Sequence, residues 1–137
     1  VSELVPAVLS LEVDAATGAM TQIDSLLISR TGETIVQPAG ILLGAGGQLF
    51  VALRECNEIL GIAVDGDAGK FAQTGRWPAG GATPRDLVLS PSGRHLMVAN
   101  QDSDRLTVFP VDGGRLEAPR QNFALGTPMA VTIADLP

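Results

Sequence analysis

Arginine and glutamate side chains offer the clearest chemistry in this sequence. Arg54 lies in the segment LRECNE and Arg85 in TPRDL, while Glu3 lies in VSELV and Glu55 follows Arg54 directly. A guanidinium can bind a phosphate or carboxylate through two parallel hydrogen bonds, or stabilise the oxyanion that forms when water attacks a carbonyl. A neighbouring carboxylate can act as the base that activates the water. These residues predict a site for an anionic small molecule, provided that the fold brings them together.

The same side chains also have a structural interpretation. An arginine at the start of a strand often pairs with a neighbouring carboxylate, and Asp86 and Asp102 are the candidates for Arg85. Such a pair would hold strands together, and a glutamate on an exposed loop is commonly a solvated charge. The sequence leaves both interpretations open.

Charge and hydropathy limit the classes of partner. The net charge of −6 and the pI of about 4.5 would repel a polyphosphate, so nucleic acid is not expected as a partner. The longest apolar runs, such as residues 40–53, contain glycines and fall short of the roughly 18 residues of a bilayer span, so no membrane segment is expected. A single cysteine and the absence of a visible signal-like segment favour a cytoplasmic location.

An internal repeat organises the chain. Residues 37–71 align with residues 83–116 at a period of about 46 residues, with one single-residue slip. Pro38 matches Pro84, and Gly47 matches Gly93. A third and incomplete copy occupies the first 25 residues, where an alternating apolar run leads into a turn from Asp to Gly.

Each complete copy predicts four short antiparallel strands. Apolar runs alternate with the turns SPSG, VDGG and DAATG, in which glycine supplies a positive φ and aspartate a side-chain hydrogen bond. Four strands in a repeat of about 40 to 50 residues are typical of a β-propeller blade. We therefore predict an all-β fold of four-stranded propeller blades, with Trp77 packed between blades and not forming a sugar platform.

The predicted blades do not close a ring. Residues 1–137 are assigned to part of a single propeller domain, with complete blades at 36–77 and 83–123. Residues 1–25 supply the outer strands of another blade, and residues 127–135 supply the inner strand of a closing one. Since known rings need at least about four blades, further blades from the same parent chain or from another chain are expected.

Strand order predicts which residues share a rim of the propeller. The start of an inner strand and the end of the second strand lie on the same rim, where propellers usually hold ligands. His95 falls on the opposite rim, and Cys56 has no histidine near it to activate the thiol. The loop at residues 65–70 lacks the later ligands of a calcium loop, so a hairpin, with no metal and no cofactor, is expected. The candidates that share the ligand rim are Glu3, Arg54 and Arg85 as catalytic residues, and Glu55, Asn100, Gln101 and Asp102 as substrate-binding residues.

The segment TPRDLVLSPSGRHLMVANQDSDRLTVFPVDGGRLE, residues 83–117, resembles a late blade of the seven-bladed lactonase family. This family includes 6-phosphogluconolactonase-type propellers and fungal carboxymuconate cyclase. The segments that carry the resemblance are PRDL at 84–87, SPSGR at 90–94 and NQDSD at 100–104. Residues 1–20 resemble the family's preceding Asn-Glu-Leu segment, with Ser2 in place of the asparagine. The resemblance spans essentially the whole chain, which implies about the last third of a seven-bladed parent.

The middle copy departs from the family pattern. Family members usually carry Ala-Glu-Ile-His at the start of this blade and a loop with Asn-Arg and His-Asp. This chain has AGIL at residues 39–42 and LRECN at residues 53–57, so only Arg54 of the loop is kept. The polar positions of the family are therefore occupied by Gly40 and Leu42.

The resemblance implies an enzyme in the full-length parent. It would be a lactone hydrolase, or a related cycloisomerase, acting on a sugar-acid or carboxylate lactone without a cofactor, and Arg85 and Arg54 would bind the anion. Its partner would be a small-molecule lactone or an anionic sugar acid. Two alternatives stay open: a propeller that binds or scaffolds without chemistry, and an isolated piece that has no activity by itself.

Overall fold

The computed structural model describes residues 1–29 and 36–134, which form almost only antiparallel β-strands. Within these two ranges no helix has the length and hydropathy of a bilayer span. Single 3-10 turns occur at Ala45–Gly47 and Gln101–Ser103. The strands, in chain order, are β1 Ala7–Val13, β2 Met20–Leu27, β3 Pro38–Leu43, β4 Gln48–Leu53, β5 Glu58–Val64, β6 Phe71–Pro78, β7 Pro84–Leu89, β8 His95–Asn100, β9 Arg105–Asp112, β10 Arg115–Leu116 and β11 Gln121–Ala124.

The strands form three sheets that follow the chain. The first sheet contains β1 and β2, and the second contains β3, β4, β5 and β6 in that order. The third contains β7, β8 and β9, and both β10 and β11 pair with the outer edge of β9. The second sheet has the four antiparallel strands predicted for a blade, and the third has the same order with its outer strand in two pieces. The chain is therefore a partial β-propeller, as its sequence predicts.

Two hydrophobic clusters join the sheets face to face. Phe50 and Ile59 on the second sheet pack with Leu96 and Phe109 on the third, all four fully or nearly fully buried. Val51, Leu53, Leu60 and Ile62 lie in the other cluster, which includes Val8 of the first sheet. Because β4 and β5 alternate their side chains between these clusters, the second sheet is covered on both faces, as a blade between two neighbours must be.

The inner strands β3 and β7 each begin with an irregularity. Pro84 pairs with Asn100 and Asp86 with Ala99, so Arg85 is an extra residue without a partner on β8. The register of β3 against β4 shifts in the same way between Pro38 and Ile41. Such bulges bend a strand and redirect the side chain of the extra residue.

The last predicted strand is not formed in the described part of the chain. Residues 127–134 carry no strand assignment, and residue 135 lies outside the described residues. An inner strand needs the second strand of its own blade as a partner, and neither described range supplies one for this segment. Its assignment to a closing blade, like the domain bounds proposed above, stays a prediction.

Candidate functional site

The candidate residues lie on one rim of the blades, where inner strands begin and second strands end. We call residues 2–6, 54–57, 83–85 and 100–104 the channel rim. Backbone hydrogen bonds fasten each turn to the start of an inner strand: Arg54 N donates to Gln37 O at 3.1 Å, and Gln101 N donates to Thr83 O at 3.0 Å. All seven predicted residues fall on this rim, but their environments differ.

Arg85 is the unpaired cation of the channel rim. It is the extra residue of the β7 bulge and is half-buried. No hydrogen bond or ion pair joins its guanidinium to another residue within 1–29 or 36–134. The structural alternative is not seen in the described ranges, where the Asp102 carboxylate accepts from Thr83 and the Asp86 carboxylate accepts from Val131 N at 2.9 Å. The guanidinium N–H groups of Arg85 can therefore donate to a bound anion.

Arg54 and Glu3 form an ion pair between the second and first sheets. Nη2 of Arg54 donates to Oε1 of Glu3, and the two side chains are 14% and 51% exposed. Nε of Arg54 is buried and has no hydrogen-bond partner within the described ranges. The sequence predicted separate catalytic roles for these residues, but each neutralises the other. The pair connects two blades across the rim.

Asn100 is fully buried in the described structure, and its role as a substrate contact stays a prediction. The residue is 0% exposed. Its Nδ2 donates to Ala79 O and to Oγ1 of Thr107, both at 3.0 Å. Additional blades can only increase this burial. Its Oδ1 is buried and has no hydrogen-bond partner within the described ranges. Both partners of Nδ2 lie outside the segment NQDSD, so the sequence could not show that this group is already engaged.

The other polar residues of the rim are accessible to different extents. Glu55 is exposed, and its carboxylate accepts no hydrogen bond and forms no ion pair within the described chain. Asp102 is exposed, and its Oδ2 accepts a hydrogen bond from Oγ1 of Thr83 at 2.6 Å. Gln101 is half-buried and is fixed through its backbone N–H. Substrate contacts at these three residues stay predictions.

Thr83 and Asn57 are rim residues that the sequence did not single out. Thr83 has a φ of 53° and Asn57 a φ of 54°, both in the left-handed region. Thr83 N donates to Oδ1 of Asn57 at 2.7 Å, which ties the third sheet to the second. The sequence signal is a shared position, since Gln37, Thr83 and Thr127 each precede a proline and each has a positive φ.

The other reactive groups have different surroundings, and of these only Cys56 belongs to the channel rim. His95 begins β8, at the end opposite to Asn100, and so lies on the far rim as predicted. The Cys56 thiol is not in a disulfide and packs beside the cluster of Val51 and Leu60. Asp65 accepts hydrogen bonds from the N–H groups of Asp67 and Ala68, as in a hairpin turn. No three His, Cys, Asp or Glu side chains within the described residues gather as a metal-ligand set.

Comparison with known proteins identifies a matching family model and several similar solved structures. The family model described as lactonase, 7-bladed beta-propeller, matches residues 1–133. The periplasmic gluconolactonase PpgL of Pseudomonas aeruginosa is 30% identical, with a TM-score of 0.85 over 92% of this chain and 36% of its own. A Lactobacillus plantarum protein is 28% identical, with a TM-score of 0.86 over 93% of this chain and 38% of its own.

A Bacteroides uniformis protein provisionally assigned as a 6-phosphogluconolactonase is 27% identical, with a TM-score of 0.82 over 93% of this chain and 37% of its own. No curated protein matches the chain significantly. The chain therefore spans 36–38% of the length of these three structures.

Proposed function

Because the chain belongs to the lactonase family of seven-bladed β-propellers, we propose that the whole protein hydrolyses a sugar-acid or carboxylate lactone, or forms it by the reverse reaction. The observation that carries the proposal is Arg85, whose guanidinium lies on a bulge at the channel rim and has no partner within residues 1–29 and 36–134. Such a group binds carboxylates and phosphates in two-pronged geometry. The similarity to the Pseudomonas aeruginosa gluconolactonase supports a lactone as the substrate class.

The proposed reaction assigns roles to two rim residues. Water loses a proton to a base and attacks the lactone carbonyl carbon to form an oxyanion; the bond from this carbon to the ring oxygen then breaks, and the proton returns to that oxygen to give the hydroxy acid. Arg85 binds the anionic group of the substrate or the oxyanion. Glu55 is exposed and unengaged within the described ranges, so its carboxylate can take the proton from water. Glu3 is a poorer base because one of its oxygens is held by Arg54.

A binding propeller without chemistry is the second candidate, and one position favours it. The family carries glutamate at the place of Gly40, by the resemblance described above. A Cβ atom at Gly40 would lie 3.0 Å from Cα of Asp86 and 3.1 Å from the Arg85 carbonyl oxygen. Because β3 and β7 pack this closely, the position has no room for an acid side chain unless the backbone moves.

The proposal is tested by assaying the whole protein with 6-phosphogluconolactone and with simple lactones. We expect Arg85→Ala to lower kcat/KM by about 10- to 100-fold, since a hydrogen bond to a charged group contributes about 1.5–3 kcal/mol. Arg94→Ala is the matched control, because it removes the same charge from an exposed residue of the far rim. Glu55→Gln should lower kcat more than Glu3→Gln does.

Two results would contradict the lactonase proposal. A wild-type rate equal to spontaneous hydrolysis would leave the binding propeller as the remaining function. Equal losses in Arg85→Ala and Arg94→Ala would show a general effect of net charge and no site at Arg85.

The partners and the compartment are part of the same proposal. We expect the remaining blades of the ring to complete the channel, and a small-molecule lactone or sugar acid to be the ligand. A cytoplasmic location stays the expectation, while the similar Pseudomonas aeruginosa protein is periplasmic. Fractionation of cells that express the whole protein decides between these compartments.

A further inference from the structure

We propose that Thr83 is a positioning residue for Arg85, holding the start of β7 so that the guanidinium stands at the channel rim. The inference rests on the proposed role of Arg85 in binding an anion. Arg85 is the extra residue of the bulge, so no cross-strand partner fixes its backbone. The direction of its side chain therefore depends on the residues on either side of it.

Thr83 is held in an unfavourable conformation by contacts to the second sheet and to its own sheet. A φ of 53° is costly for a β-branched residue and persists only where the surroundings enforce it. Its N–H donates to Oδ1 of Asn57 at 2.7 Å, and its hydroxyl donates to Oδ2 of Asp102 at 2.6 Å. Its carbonyl oxygen accepts from Gln101 N at 3.0 Å. Every polar group of Thr83 is thus engaged.

These contacts fix one side of the bulge, and Asp86 fixes the other. Pro84 has a φ restricted by its ring and transmits the orientation of Thr83 to the next residue. Asp86 pairs with Ala99 in the ladder, and its carboxylate accepts from Val131 N. Arg85 is therefore clamped between two anchored residues while its own donors stay unused.

Thr127 provides an internal comparison. It also precedes a proline, has a φ of 46°, and donates its N–H to Oδ1 of Asp104 at 2.7 Å. Its hydroxyl reaches only the same carboxylate, at 3.5 Å, whereas Thr83 contacts two different side chains. Met129 stands where Arg85 stands after Thr83. If these threonines only stabilise the fold, replacing either one should have the same effect on anion binding. If Thr83 positions Arg85, only its replacement should weaken anion binding.

The test compares matched variants of the whole protein, with 6-phosphogluconate as the probe anion. Thr83→Val keeps the shape and removes the hydroxyl, Thr83→Ser restores the hydroxyl, and Thr127→Val is the control. We expect Thr83→Val to weaken probe binding about threefold to tenfold, as the loss of one orienting hydrogen bond would. Thr83→Ser should recover the affinity to within about twofold, and Thr127→Val should leave it unchanged.

A second measurement does not depend on the ligand. NMR relaxation of the Nε–H group of Arg85 should show a more mobile side chain in Thr83→Val than in wild type. The mobility should be unchanged in Thr127→Val. Equal mobility and equal affinity in Thr83→Val and wild type would overturn the inference, and so would parallel losses in the two valine variants. If Arg85→Ala abolishes probe binding in those cases, the proposed role of Arg85 stands. If Arg85→Ala binds the probe like wild type, that role fails as well.

Discussion

Trp77 shows how single residues set the packing between blades. Its ring lies 6.5 Å from the Phe50 ring, at 57° between the ring planes, and contacts the cluster that joins the second and third sheets. Gly61 and Gly75 face each other across β5 and β6 beneath the indole. A Cβ atom at Gly61 would lie 2.6 Å from Cζ3 of Trp77. The two glycines therefore form the slot that the indole fills.

Replacing Gly61 by alanine should destabilise the protein. The added methyl would also lie 2.7 Å from Oγ1 of Thr74, so the indole or the strand must move. Overpacking of this kind costs about 1–3 kcal/mol in the free energy of unfolding, which urea denaturation measures. Gly66→Ala is the control, because a Cβ at Gly66 meets nothing within 4 Å. Equal midpoints for the two variants would show that the slot has room for the methyl.

At the scale of elements, two hairpin turns share one construction. The chain reverses after β1 at residues 14–18 and after β5 at residues 65–69, and both turns begin with aspartate and end with glycine. Oδ1 of Asp14 accepts from Thr17 N at 2.7 Å, and Oδ1 of Asp65 accepts from Ala68 N at 3.0 Å. Each carboxylate thus satisfies the N–H groups that the reversal leaves without ladder partners.

The hairpin at residues 65–69 should lose stability in acid. The hydrogen bonds from the backbone of Ala68 and Asp67 hold the pKa of Asp65 below its ordinary value of 3.8. Because the folded pKa is the lower one, the contribution is fully present above pH 3.8 and is lost as the pH falls through the folded value. A carboxyl NMR titration of Asp65, with amide exchange of Gly69, measures this.

The neighbouring aspartate supplies the control for that experiment. Asp65→Asn should lower the stability at pH 7 and abolish the acid-dependent change, whereas Asp67→Asn removes the same charge from a carboxylate with no bond in the turn. If both variants responded alike to pH, net charge would explain the effect and the turn bonds would not.

The elements were predictable because their signals are local. Alternation of apolar residues gave the strands, and Gly and Asp gave the turns, so two sheets and a half-sheet followed from a repeat in the sequence. The break of the outer strand between Leu116 and Gln121 was not predicted. Nor were the bulges, because they depend on how β7 meets both β8 and the neighbouring inner strand β3.

The candidate site was predicted as a location but only partly as a set of contacts. Rim membership follows from strand order, so Arg85 and Glu55 were found where expected. Whether a side chain on the rim can contact a ligand depends on hydrogen-bond partners that are distant in sequence. Glu3 meets Arg54 across 51 positions, and Asn100 meets Ala79 across 21. Such pairings depend on how blades face each other, which one sequence does not reveal.

At the scale of the whole molecule, the net charge and the local site act in opposite directions. The formal charge of −6 repels an anionic ligand at long range. A cation without a partner on the channel rim is then the feature that can attract such a ligand locally. In the proposed function, Arg85 therefore supplies a local attraction that the net charge of these 137 residues does not.

The sheets leave apolar faces uncovered. In the described part of the chain, no strand pairs with the inner edge of β1, and the face of β3 turned toward that gap exposes apolar residues. Leu43 is 63% exposed and Ile41 is 42% exposed, while Leu11 on β1 is 46% exposed. Patches of this kind mark surfaces that another polypeptide covers. In a seven-bladed ring the adjoining blade would cover them.

We therefore expect the 137-residue chain to associate with itself when it is prepared alone. Sedimentation velocity should show species heavier than 14.1 kDa whose proportion rises with concentration, because burying exposed apolar surface against a second copy is favourable. Leu43→Lys should shift the distribution toward the monomer. Gln121→Lys adds the same charge to an exposed residue of the outer edge and should leave the distribution unchanged. A compact monomer of 14.1 kDa at all concentrations would show that two blades and a half-sheet are self-sufficient.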